Sequence, residues 1–184
     1  MKKLSIYELC TCALFTALLC VLGPVSIPIG PVPVTLGLFV IYLSVYLMGY
    51  RDAVISTVVY LLLGMAGLPV FSGYTGGMGK LFGPTGGYLI GFVFVALIGG
   101  FFAEKTVFNV WKTGAALTVG TLVAYAFGTV WFVIVTSNSF IYSLGVCVLP
   151  FIPFDFLKIV AATVLGKATR AALIKAHLIK NVTL

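Results

Sequence analysis

Six long apolar runs, separated by short polar or glycine-rich stretches, organise this chain: roughly 7–23, 35–48, 53–69, 88–102, 114–135 and 146–165. Apolar positions are continuous within each run and show no period-two alternation, so helices are expected and a β-barrel is not. A helix needs about 20 residues to cross roughly 30 Å of hydrocarbon. The second and fourth runs are shorter, which implies local thinning of the bilayer or irregular backbone lined by protein. The pattern predicts an all-α integral membrane protein with six transmembrane helices, forming a single domain over residues 1–184.

Composition supports that class. The chain is 61% hydrophobic and only 8% charged, with a mean hydropathy of +1.21. A soluble domain of this length needs far more polar surface. The net charge of +7 raises nucleic-acid binding, but the cations flank apolar runs and form no dense patch. They read as topology signals. With six spans both termini share a side, and that side receives Lys2, Lys3, Arg51, Lys105, Lys112, Lys167, Arg170, Lys175 and Lys180. Lys80 alone falls opposite. Both termini are therefore expected in the cytoplasm. The first run ends in a lipoprotein-like Leu19-Cys20, but the bulky leucine and the intrusion of Glu8 disfavour cleavage, so it is kept as helix one. Cys10, Cys12, Cys20 and Cys147 lack metal or redox spacing and read as small packing residues.

Against this background Asp155 stands out. It heads the sixth run, in Leu149-Pro-Phe-Ile-Pro-Phe-Asp-Phe-Leu-Lys158, and the chain has only three other acids, Glu8, Asp52 and Glu104. An ionisable group in a bilayer costs at least a few kcal/mol unless paired, so it marks a functional site by default. Lys158, three residues on, shares its helix face and can supply the partner charge. On the expected topology the pair lies just below the outer surface. The outer loop 71–88 has seven glycines in eighteen positions, interrupted by Phe71, Tyr74, Met78, Leu81 and Phe82. Glycine permits turns and close backbone approach to a ligand, and the interleaved apolar side chains predict a lid folded onto the helices.

Other chemistry is scarce. Gly79-Lys80 is not a phosphate loop, because Tyr74 and Leu81 stand where glycine and a hydroxyl residue are required. No hydrolase or metalloprotease motif occurs, and no metal site or cofactor is expected. His177 stands alone in a basic tail, and the Asn181-Val-Thr sequon falls on the expected cytoplasmic side. A transport subunit without its own ATPase fits better than an enzyme.

Four stretches carry a specific resemblance. They are Ile27-Pro-Ile-Gly-Pro-Val-Pro-Val-Thr35, Tyr60-Leu-Leu-Leu-Gly-Met-Ala-Gly-Leu-Pro-Val-Phe71, Leu81-Phe-Gly-Pro-Thr-Gly-Gly-Tyr-Leu-Ile-Gly-Phe92 and the Asp155 segment. In this order they resemble the biotin-binding S components (BioY family) of energy-coupling-factor (ECF) vitamin transporters of the prokaryotic plasma membrane. The resemblance implies a six-helix fold, biotin capture from outside, and docking on a transmembrane T component with two ATPase subunits. It implies that Asp155 accepts hydrogen bonds from the ureido N–H groups, an acceptor-only carboxylate being suited to that task. Lys158 either holds Asp155 ionised or contacts the ligand. Thr35, Tyr74, Thr75, Gly76, Tyr88 and Trp131 complete the expected ligand-binding set, with Trp131 equally suited to packing. The chain departs from the family pattern at Gly37, where a Gln is common, and at Thr75, where an Asn occurs. Ala13 and Ala17 place two small residues on one face of helix one, and the resemblance makes that face the T-component contact, against an alternative of internal packing. An S component for another vitamin, or a ligand-free membrane assembly protein, are the competing readings.

Overall fold

The computed structural model describes residues 5–176. Lys2, Lys3, His177, Lys180 and the Asn181 sequon lie outside them. Eight helices and one short hairpin follow in chain order: α1 (Ile6–Leu22), β1 (Ser26–Ile27), β2 (Val34–Thr35), α2 (Gly37–Met48), α3 (Tyr50–Met65), α4 (Met78–Leu81), α5 (Gly86–Lys105), α6 (Val110–Thr136), α7 (Phe140–Cys147) and α8 (Phe151–Lys175). The six apolar runs correspond to α1, α2, α3, α5, α6 and α8.

Local chemistry explains the boundaries. Ser5 and Glu8 form a capping box at α1, the Ser5 hydroxyl accepting from Glu8 N–H at 3.2 Å and the Glu8 carboxylate from Ser5 N–H at 2.6 Å. Gly49 separates α2 from α3 at φ +81°, a left-handed conformation that favours glycine. The Glu104 carboxylate accepts from the Tyr50 N–H at 3.0 Å and ties that corner to the end of α5. Asn109 caps α6 by accepting from the Lys112 N–H.

α2 is apolar all round and mostly buried, its Val40, Ile41, Tyr42, Val45 and Tyr46 nearly inaccessible. A helix hydrophobic on every side belongs at the centre, and α1, α3, α5 and α8 pack around it. α5 and α6 form the tightest pair. A Cβ at Gly91 would press on Ala124, one at Gly120 on Val95, and one at Gly128 on the Tyr88 ring. Small residues thus let these two backbones approach, as membrane helices require.

Among the described residues, α5 and α6 are each long and apolar enough to cross a bilayer. α7 and α8, bent by 44° at their junction, make a third such element together. α1 and α2 are apolar but shorter, at 17 and 12 residues. Two differences from the sequence reading concern the last element. The sixth run starts in α7, breaks at 148–150, where Pro150 disfavours helix in the residue before it, and continues in α8 to Lys175. The gap between the fifth and sixth runs is not all loop: it contains most of α7, capped by Ser139 accepting from the Tyr142 N–H.

Arg51, Lys105, Lys112, Lys167, Arg170 and Lys175 gather at one end of the bundle, joined there by Tyr50–Glu104 and Arg170–Tyr46 contacts. Lys80, in α4, is at the other end, with the hairpin and the 66–85 segment. That segment is folded, but of the apolar residues that predicted a lid only Phe71 is buried and Leu81 partly so, while Tyr74, Met78 and Phe82 are exposed. Phe71 is fully buried against Gly64 and meets the Tyr60 ring edge-on at 5.6 Å. The Tyr60 hydroxyl donates to Val70 O at 3.0 Å, and the Gly77 N–H to Gly64 O at 2.7 Å. Gly73 and Gly77 take positive φ of 70° and 91° at its turns.

Candidate functional site

The lid-side end of the bundle holds an acid-centred cavity. α8 begins immediately after Pro150, and Pro153 sits in its first turn, where a missing N–H leaves no helical bond unmade. This start turns Asp155 inward, leaving it 3% exposed. Lys158, three residues on, follows the same face and its ammonium donates to Asp155 Oδ1 at 2.8 Å. The Tyr125 hydroxyl, from α6, donates to Asp155 Oδ2 at 2.5 Å. A buried carboxylate survives in a dry site only when paired and hydrogen-bonded, and Asp155 has both. Each of its oxygens can accept a second hydrogen bond.

α6 supports this arrangement with a row of hydroxyls four residues apart. Thr121 bonds the Tyr42 hydroxyl at 2.6 Å, Tyr125 bonds Asp155, and Thr129 bonds the Tyr88 hydroxyl at 3.1 Å. Tyr42 and Tyr88 come from α2 and α5, so four helices converge on the acid.

The cavity in front of Asp155 encloses about 60 Å³. Asp155, Lys158 and Tyr125 form its polar wall. Phe92, Tyr88, Leu38 and Phe151 supply apolar surface, while Thr35, Ser72 and Thr85 add hydroxyls from the hairpin and the lid. Its lining, mostly apolar with a few convergent polar groups, has the composition of a small-molecule site, at a volume well below the roughly 300–1,000 Å³ such sites usually enclose. Asp155 and Tyr125 also border a second space of about 140 Å³, a crevice between α6 and α8 rimmed by the exposed Leu122 and Phe156. The pair therefore forms a partition between the cavity and the outer face of the bundle.

Of the residues singled out from the sequence, Thr35, Tyr88, Asp155 and Lys158 meet in the cavity wall. Four others lie outside its lining. Tyr74 is 68% exposed with φ +58° at the tip of the lid. Thr75 pairs with Phe71 across a bridge, and its hydroxyl donates to Ser72 O at 2.9 Å, one residue behind the wall. Gly76 sits where a Cβ would strike the Leu68 backbone. Trp131 packs beside Gly87 and donates its indole N–H to Gly83 O at 3.0 Å, anchoring the end of the lid. Lys158 is ion-paired with Asp155 and also lines the cavity. Ala13 and Ala17 are exposed in a groove between α1 and α3, so they are not internal packing residues.

Sequence reading missed Tyr125, Ser72, Thr85, Phe92 and Phe151. Tyr125 left a signal: Thr121, Tyr125 and Thr129 repeat at one helical spacing in an otherwise apolar run. Among the described residues no group of three or more His, Cys, Asp or Glu is placed to hold a metal.

Known proteins share this architecture over nearly the whole chain. A crystal structure of the S component for biotin from an ECF-type ABC transporter superposes with a TM-score of 0.84 at 30% identity, covering 90% of this chain and 92% of that one. The biotin transporter BioY of Thermotoga maritima is 38% identical over 163 residues, covering 86% of this chain and 93% of its own. The biotin transporter BioY2 of Lactococcus lactis is 33% identical over 173 residues, with 94% and 95% covered. The BioY family profile matches residues 1–175. With the paired acid, the folded lid and this extent of similarity together, the chain belongs to the BioY family.

Proposed function

We propose that this chain is the biotin-binding S component of an ECF-type transporter, a single membrane domain over residues 1–184. The observation that carries the reading is the Asp155–Lys158 pair at the wall of an otherwise apolar cavity. A cyclic urea presents an N–H donor beside a carbonyl acceptor. Asp155 offers an acceptor beside the Lys158 donor, so the two edges match, and bonds to charged partners are the stronger ones. A spare acceptor position on Asp155 takes one ureido N–H, and the remaining Lys158 donors face the ureido oxygen beside it. Phe92, Tyr88 and Phe151 flank the thioether ring. The hydroxyls of Thr35, Ser72 and Thr85 serve the polar end of the ligand. Tyr74, Thr75, Gly76 and Trp131 act through the lid, shaping it over the ligand.

The excess of cations at one end of the bundle supports a reading in which that end faces the cytoplasm of a prokaryotic cell and the lid faces outside. α1, α2, α3, α5, α6 and α8 then form six spans, the short α2 being buried at the centre and α1 lying at the periphery with one face exposed. The chain carries no nucleotide motif, so energy comes from two ATPase subunits through a transmembrane T component. Its exposed Ala13 and Ala17 face offers that component a close helix contact.

Isothermal titration of the purified chain against biotin, thiamine and riboflavin tests the assignment. Saturable heat with biotin alone is expected. Heat with another vitamin in place of biotin would make this an S component of different specificity, and no heat with any would leave an assembly role.

A further inference from the structure

The opposite end of the bundle has a second cavity that vitamin capture does not use. It encloses about 210 Å³ between α8 and the 106–109 connection of α5 to α6. Lys167 and Arg170, three residues apart on one face of α8, line it, and among the described residues neither pairs with a carboxylate. Val107, Ala171 and Ile174 form an apolar rim beside them. With a rise of 1.5 Å per helical residue, these cations lie about 18–22 Å along α8 from Asp155. The two sites are separate.

The cavity is built, not incidental. Arg170 donates to Tyr46 O at 3.1 Å and stacks its guanidinium 3.5 Å from the centre of the Phe108 ring. The Tyr46 hydroxyl bonds Thr163 at 2.7 Å and reaches Val110 O at 3.4 Å, closing α2, α6 and α8 around the floor. Gly166 lets the Tyr46 ring lie directly on α8. Val107 and Phe108 both hold positive φ, 53° and 54°, an unusual state for such side chains that persists only where surroundings enforce it. Glu104, the nearest acid to Arg170 in electrostatic terms, is engaged with the Tyr50 N–H.

We propose that this cavity binds the phosphate head of an anionic phospholipid. Two cations beside an apolar rim match a phosphodiester joined to glycerol and the first methylenes of its acyl chains. Basic pockets between helices at the interfacial end of a membrane bundle suit such headgroups. An inorganic phosphate shares the anionic chemistry but leaves the apolar rim without a partner. The stacked, backbone-tethered Arg170 acts as the fixed arm of the site, and the exposed Lys167 as the adjustable one.

The test uses the full-length chain in uncharged detergent micelles, titrated with short-chain phosphatidylglycerol, phosphatidylcholine and inorganic phosphate. Phosphatidylglycerol should bind at one saturable site, tighter than either alternative. Lys167→Gln should weaken it about fivefold, the ratio equivalent to one interfacial cation. Arg170→Gln should weaken it at least as much. Biotin binding by Lys167→Gln should be unchanged. Lys105→Gln, removing a cation of the same end that sits over Phe101 and outside the cavity, should have no such effect. Equal losses in the Lys105 and Lys167 variants would reduce the site to diffuse surface charge and overturn the proposal. So would absence of saturable phosphatidylglycerol binding, or phosphate binding as tight as the lipid.

Discussion

The two faces of α6 are built on opposite principles. Towards α5 it presents Ala124, Gly128 and Gly120, which admit the neighbouring backbone so closely that a Cβ at Gly91 or Gly128 has no free space. Towards α8 it presents Thr121 and Tyr125, leaves crevices, and touches its neighbour through the Tyr125–Asp155 bond. In a bilayer, helices gain little from burying apolar surface against each other, so packing fit and hydrogen bonds must hold them. The α5 face uses fit and the α8 face uses a hydrogen-bonded charge. The first makes a rigid wall; the second leaves room, and places a carboxylate where a small molecule can reach it.

Breaking the second face should separate stability from binding. Lys158→Met strips the partner from a buried carboxylate and is expected to destabilise the fold by about 3 kcal/mol, the lower range for a broken buried pair. The loss should appear as a lowered melting temperature in detergent. Adding Asp155→Asn to that variant should recover most of the stability while leaving biotin binding lost, because a neutral pair folds but cannot match the ureido edge. Asp155→Asn alone should weaken biotin binding by at least about 1.5–3 kcal/mol, as for bonds to charged groups, measured by titration calorimetry. Undiminished affinity would remove Asp155 from the site.

The first face should respond the other way. Gly91→Val forces methyl groups against Ala124 and is expected to cost about 1–3 kcal/mol of stability, the usual range for overpacking. Biotin affinity of the molecules that remain folded should change much less. Tyr125→Phe keeps the shape of the partition and removes one hydrogen bond, so it should weaken biotin binding by about 1.5 kcal/mol. The smallest effect on binding belongs to Ala13→Trp, which should titrate like the parent yet fail to copurify with a T component. Normal assembly would clear the α1 face of that role.

The same contrast governs what the sequence disclosed. Six helices were legible because each needs a continuous apolar run, and the Asp155–Lys158 contact because its spacing of three is a local property of one helix. The lid was legible as folded because Phe71 and Leu81 interrupt its glycines. α7 was hidden, since eight residues interrupted by Ser143 and Gly145, next to loop signals, are as compatible with a loop as with a helix. The bend before α8 was missed because apolar character runs straight through the 148–150 break. Tyr125 lies thirty residues before Asp155, and nothing local tells which neighbour its hydroxyl will meet. Trp131, bonded to Gly83, and Tyr74, exposed on the lid, lie outside the cavity lining, and nothing local in the sequence separates an aromatic ring within the wall from one beside it. Long-range contact, not residue type, distinguished those roles.

The most direct test is a structure of the chain with biotin bound. The account predicts the bicyclic head in the lid-side cavity, one ureido N–H donating to Asp155 and the ureido oxygen beside it facing the Lys158 ammonium. Biotin lodged elsewhere, with Asp155 still held only by Lys158 and Tyr125, would contradict it.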